Sequence, residues 1–214
     1  MLTSHNGSSL VVDRLCDQVR GQNTAVTCFY FDFAARKDQS VTSMLGSLVK
    51  QIVSGMERIP EEILRAFQEQ KKAIGGCGQQ LANLVKILQA ITSPQPTFVC
   101  IDALDECVWV QRKKVLDSLK QILERSSRTR IFVTGRPYIR AEMQNWLHGR
   151  MVCVSISPAR DDIIGYLRAR LAEDETPDAM DQRLEAEILE KIPENMAEMC
   201  VWAMMLGIPC YLLR

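Results

Sequence analysis

The chain has 214 residues, enough for one sizeable domain or two small ones with a real hydrophobic core. It carries 26 basic and 26 acidic side chains and is 47% apolar, an ordinary globular balance. That balance provides no global field to attract nucleic acid or an anionic membrane.

Met1–Gly7 has no apolar core of the signal-peptide kind, and no run approaches the roughly 20 apolar residues of a membrane helix. The eight cysteines (Cys16, Cys28, Cys77, Cys100, Cys107, Cys153, Cys200 and Cys210) show no CxxC spacing, and most lie in apolar runs. They predict reduced, buried thiols in a cytosolic protein, not a disulfide framework or a zinc site. The two histidines, His5 and His148, lack catalytic neighbours and read as surface residues.

In chain order, β-branched and aromatic runs at Ala25–Phe33, Thr97–Ile101, Arg130–Thr134 and Met151–Ile156 predict strands. Their unbroken apolar character predicts burial on both faces of a parallel sheet. Between them lie stripes of helical period. Met44, Leu45, Leu48, Val49, Ile52, Val53 and Met56 form one, Leu81, Leu84, Val85, Leu88 and Ile91 a second, and Val115, Leu116, Leu119, Ile122 and Leu123 a third. Pro60 before Glu61 and Glu62, and Ser157-Pro158 before Asp161 and Asp162, mark helix starts with acids at the positive dipole end. Gly75-Gly76-Cys77-Gly78 follows no strand and lacks a GK[ST] ending, so it reads as a loop and not a phosphate cradle. Strands alternating with helices define an α/β fold. After Ser157 the pattern is helical throughout, so residues 1–156 form the core and 157–214 begin a helical subdomain.

Two segments carry chemistry. Phe98–Ile101 is a hydrophobic strand that delivers Asp102 to its carboxyl end, where ligands of open α/β sheets collect. A carboxylate there can hold the magnesium that bridges nucleotide phosphates. Ala103 is small enough for close approach, and Asp105 or Glu106 could orient an attacking water. The same acids could instead cap the next helix. Two further acids following Asp102 in the run hhhhDALDE favour a Walker B origin. The second segment is RIFVTGRP, a strand ending in Arg136, whose guanidinium could reach a γ-phosphate. An arginine after a strand is by itself commonly a surface residue. Its place one strand and one helix beyond Asp102 favours the sensing role.

In this order the residues resemble the NACHT class of signalling P-loop nucleoside triphosphatases, in particular the fungal nephrocystin-like N-terminal branch found in heterokaryon-incompatibility proteins. SSLVVDRL is similar to the helix after the family's P-loop, and CFYFDFAARKDQSVTSMLGSLVKQI to its second strand and helix. FVCIDALDEC resembles its Walker B motif and IFVTGRP its sensor strand, with Gly135 where serine is commoner. DDIIGYL and MCVWAMML resemble the helical region that follows the core. The resemblance implies a nucleotide-dependent switch using ATP and Mg2+, whose partners are self-oligomers or other NACHT proteins; the charge balance and the lack of a long apolar run add the expectation of no nucleic acid and no membrane as partners. Asp102 would bind the metal, Asp105 or Glu106 would polarise water, and Arg136 would sense the γ-phosphate.

The sequence departs from that family at its start. A GxxxxGK[ST] loop should precede Ser8-Ser9, yet the chain reads MLTSHNG there and has no GK[ST] elsewhere. In the strand order five-one-four-three-two, the absent first strand would lie between the sensor strand and Met151–Ile156. The expectation is two unpaired strand edges, unless the last strand slides across to pair with Arg130–Thr134 or the chain is a truncated gene product, and weak or absent ATP binding. An alternative function is a non-catalytic remnant acting as a protein–protein interaction module.

Overall fold

A computed structural model describes residues 7–205, except 37, 57, 62, 66–67, 69–76, 148–150, 157–158, 174–180 and 196–198. His5, His148, Gly75-Gly76 and Ser157-Pro158 therefore lie outside the described residues.

Helix α1 (Gly7–Val19) leads into strand β1 (Ala25–Tyr30). Helix α2 (Val41–Ser54) starts where the Ser40 hydroxyl accepts from the Ser43 N–H, satisfying one of its orphan donors. Next come α3 (Cys77–Thr92), β2 (Thr97–Asp102), a 3-10 turn (Leu104–Glu106), α4 (Trp109–Arg125) and β3 (Thr129–Gly135). A second 3-10 turn (Pro137–Ile139), α5 (Arg140–Leu147), β4 (Met151–Ile156), α6 (Arg160–Ala172), α7 (Gln182–Asn195) and β5 (Met199–Met205) complete the order.

Strands β1, β2 and β3 are parallel and in register, with Thr97 opposite both Ala25 and Thr129. One face of this sheet meets the three predicted stripes. Met44, Leu45, Leu48 and Ile52 of α2, Leu84, Leu88 and Ile91 of α3, and Val115, Leu116 and Leu119 of α4 bury against Val99, Ile101, Ile131 and Val133. The other face, carrying Phe98, Cys100, Phe132 and Thr134 by strand alternation, is overlain at β1 and β2 by α1. Burial is consequently one-sided in places: Tyr30 and Val154 are exposed, unlike the expectation of strands covered on both faces. The outer edge of β1 is closed by side chains. Gln51 of α2 accepts from the Cys28 N–H and donates to the Cys28 carbonyl, at 2.9 and 2.8 Å. Gln39 does the same for the Asp32 N–H and the Tyr30 carbonyl. An edge so occupied offers little to a foreign strand.

The sheet order is β1-β2-β3-β5-β4, and β5 runs antiparallel to both neighbours. This corrects two expectations. Met199–Met205 is a strand and not a helix, and the edges of β3 and β4 are not left unpaired. Two strands with free backbone groups on facing edges outweigh the modest helix preference of alanine and methionine, because a central strand pairs on both sides. Within the strand, Ala203 stands opposite Phe132 on one side and Val152 on the other.

Among the described residues no helix is long and apolar enough to cross a membrane. Cys100 and Cys107 are buried as expected, Cys28 and Cys153 are half-buried, and Cys16 is exposed.

Candidate functional site

Asp102 closes β2, and its side chain is buried on the sheet face opposite the main core. Its nearest partner is Thr134, which donates its hydroxyl proton to Asp102 Oδ1. The same hydroxyl oxygen accepts from the Ala103 N–H at 2.9 Å. The register explains the meeting: Ile101 pairs with Val133, so the next residues, Asp102 and Thr134, lie side by side on neighbouring strands.

Ala103 turns the chain sharply, with φ 52° and ψ 45°. It is the one non-glycine residue with positive φ among those described. A left-handed alanine costs about 1–2 kcal/mol. The Thr134 bond on its N–H and the Glu106 N–H on its carbonyl hold it there. The turn throws Asp105 and Glu106 back over the strand ends.

Arg136 follows β3 and reaches both acids. Its Nε lies 3.5 Å from Asp105 Oδ2 and its Nη2 lies 3.6 Å from Glu106 Oε1. Its side chain is 66% exposed while that of Asp105 is 4% exposed. The contacts are long and the guanidinium is exposed, so the arginine is free to move, but an incoming anion must offset the loss of the cation beside the buried Asp105 carboxylate. The structure thus brings Asp105, Glu106 and Arg136 together, and sets Asp102 on Thr134 and not on the arginine.

Three further residues shape the turn. Arg112 of α4 is buried and donates to the Asp105 carbonyl at 3.3 Å, the Cys107 carbonyl at 3.0 Å and Glu142 of α5 at 2.9 Å. Tyr138 donates its hydroxyl to the Asp105 carbonyl at 3.1 Å. The Tyr138 phenol is raised above its ordinary value, first by desolvation and then by the adjacent Asp105 charge. Burial pushes the Cys107 thiol up to about 11, which keeps it protonated and inert as a nucleophile at neutral pH. Arg112 carried a readable signal: it sits three and four residues before Val115 and Leu116, a lone charge on an apolar stripe. Tyr138 and Glu142 gave none.

The donor set is hard oxygen, suited to magnesium. Among the described residues no group of three or more histidine, cysteine or acidic side chains could hold a metal by itself. A single buried carboxylate fits the way magnesium is usually held beside nucleotides, mostly by phosphate and water.

Parallel strands backed by helices, with an aspartate at the carboxyl end of the middle strand, define a P-loop-like α/β domain. Residues 5–136 match the family model for Nephrocystin 3, N-terminal, a stretch that ends on Arg136 and includes Asp102, Asp105 and Glu106. The chain belongs to that family. Neither the curated proteins nor the solved structures compared with it include a match.

Proposed function

We propose that this chain is the nucleotide-binding part of a NACHT-type signalling nucleoside triphosphatase, a switch that responds to ATP with Mg2+. The observation that carries the reading is the exposed Arg136 bridging Asp105 and Glu106 beside the buried Asp102. In the proposed roles Asp102 ligates magnesium that arrives with the phosphates. Thr134 holds that carboxylate in one orientation. The arginine exchanges its acids for the γ-phosphate, which frees Asp105 or Glu106 to orient water. Bound magnesium would supply charge neutralisation of the phosphates.

No GxxxxGK[ST] occurs in these 214 residues, so the affinity expected of them is weak. Titration of a fluorescent ATP analogue tests the assignment. Weak binding that needs Mg2+ and disappears in Asp102→Asn is the expected result. Binding that ignores EDTA, or survives Asp102→Asn unchanged, would remove Asp102 from the site.

A second reading, a non-catalytic module that pairs with intact NACHT relatives, draws on β5. A strand that completes the sheet leaves a folded surface without any phosphate loop, and the exposed Trp109 and Tyr138 flank the acidic turn. Under this reading the analogue does not bind, and mixing with a P-loop-bearing relative yields a complex by mass photometry.

A further inference from the structure

At the amino ends of the same strands, remote from Asp102, lies a cavity of about 510 Å3. Its lining includes Gln18 near the end of α1, Gln22 in the turn that follows, Phe98 of β2, Ser127 and Arg128 just before β3, and Arg130 within it. From Phe98 to Asp102 the strand advances four residues, about 13 Å at the usual rise, well beyond a Debye length at physiological salt. Charges here therefore do not serve the acidic turn.

The lining holds two guanidinium groups and no carboxylate. Neither arginine has a salt-bridge partner among the described residues. Arg128 gives one Nη1 proton to the Pro94 carbonyl at 3.3 Å, which leaves the rest of its fork unspent. Arg130 is half-buried, where an uncompensated cation is costly. It stands opposite Phe98 in the ladder, so a cation and an aromatic ring share one wall. The carbonyls at the α1 terminus would repel an anion, but they are engaged. Gln22 donates its backbone N–H to the Val19 carbonyl and its side-chain amide to the Gln18 carbonyl. The volume falls within the range of small-molecule sites, roughly 300–1,000 Å3.

We propose that this cavity binds a small organic anion with a flat apolar body, such as an aromatic carboxylate. The Arg128 and Arg130 forks take the carboxylate, the amides of Gln18 and Gln22 and the Ser127 hydroxyl fix its orientation, and the Phe98 ring lies against the body. The site is separate from the nucleotide assignment and stands if that assignment fails.

The test titrates 1-naphthoate into the full 214-residue chain by calorimetry, beside neutral 2-naphthalenemethanol and inorganic phosphate. One saturable site for naphthoate is expected. Affinity should fall roughly tenfold in Arg130→Gln, the loss of one charge-assisted contact. It should fall less in Arg128→Gln and stay unchanged in Arg170→Gln, a distant surface control. Arg128 is exposed, so its variant carries the test if Arg130→Gln misfolds by circular dichroism. Failure to saturate by roughly 10 mM, or full affinity in both cavity variants, overturns the proposal. Equal binding of the neutral alcohol overturns the anion requirement, and competition by phosphate at equal affinity overturns the apolar body.

Discussion

Arg112→Met probes the clamp that holds the acidic turn. The substitution removes a guanidinium whose side chain is 10% exposed and strands the Glu142 carboxylate, itself 22% exposed. It also deprives the Asp105 and Cys107 carbonyls of a donor. Breaking a fully buried pair costs about 3–5 kcal/mol, and partial exposure of Glu142 lowers that to about 2–3. Tyr138 still donates to the Asp105 carbonyl, so the Cys107 carbonyl alone is orphaned, which adds about 1 kcal/mol. The expected loss is about 3–4 kcal/mol. With a urea slope of about 2–3 kcal/mol per molar, the unfolding midpoint falls by about 1–2 M. Urea titration followed by circular dichroism reads this directly. Arg112→Met with Glu142→Gln should recover about 1–2 kcal/mol, because the unpaired charge is gone. A single-variant midpoint within about 0.3 M of the parent would refute the clamp.

Thr134→Val should cost about 1–3 kcal/mol in the same assay, because the Ala103 N–H loses its acceptor and Asp102 its donor; Thr134→Ser should recover most of it. Ala103→Gly relieves the left-handed strain and should be neutral to about 1 kcal/mol stabilising, whereas Ala103→Val should destabilise by more than about 1 kcal/mol by thermal melt. Ala203→Pro removes a ladder donor in the central β5 and should cost at least about 3 kcal/mol; an unchanged melt would argue against the β3-β5-β4 pairing. The Cys100 thiol is raised by burial to about 12 from an ordinary 9.0. The folded state thus keeps its proton where the unfolded chain gives it up, so this contribution is intact below about pH 9 and declines between about pH 9 and 12. Cys100→Ala should flatten that alkaline decline in urea titrations run across the range.

Most of the parallel core was legible because its signals are local. Three helical stripes and three apolar runs give α2, α3, α4 and β1 to β3 within a few residues. The carboxyl-end acids and Arg136 followed from position after those runs. The ion pairs joining them did not, since they depend on the left-handed Ala103, a conformation that alanine does not announce. Thr134 was visible only as a small polar strand end; its role needs the β2–β3 register. The strand β5 was illegible for a different reason. MCVWAMML suits a helix or a strand by composition, and the decision is made by two distant edges that have no other partner.

The most direct test of the nucleotide assignment is paramagnetic broadening of amide signals by Mn2+·ATP, which reads weak binding as well as strong. Asp102, Ala103, Thr134 and Arg136 should broaden first, with the Mg2+ complex causing no loss of signal and Asp102→Asn abolishing the effect. Sharp signals at those four positions while amides elsewhere fade would contradict it.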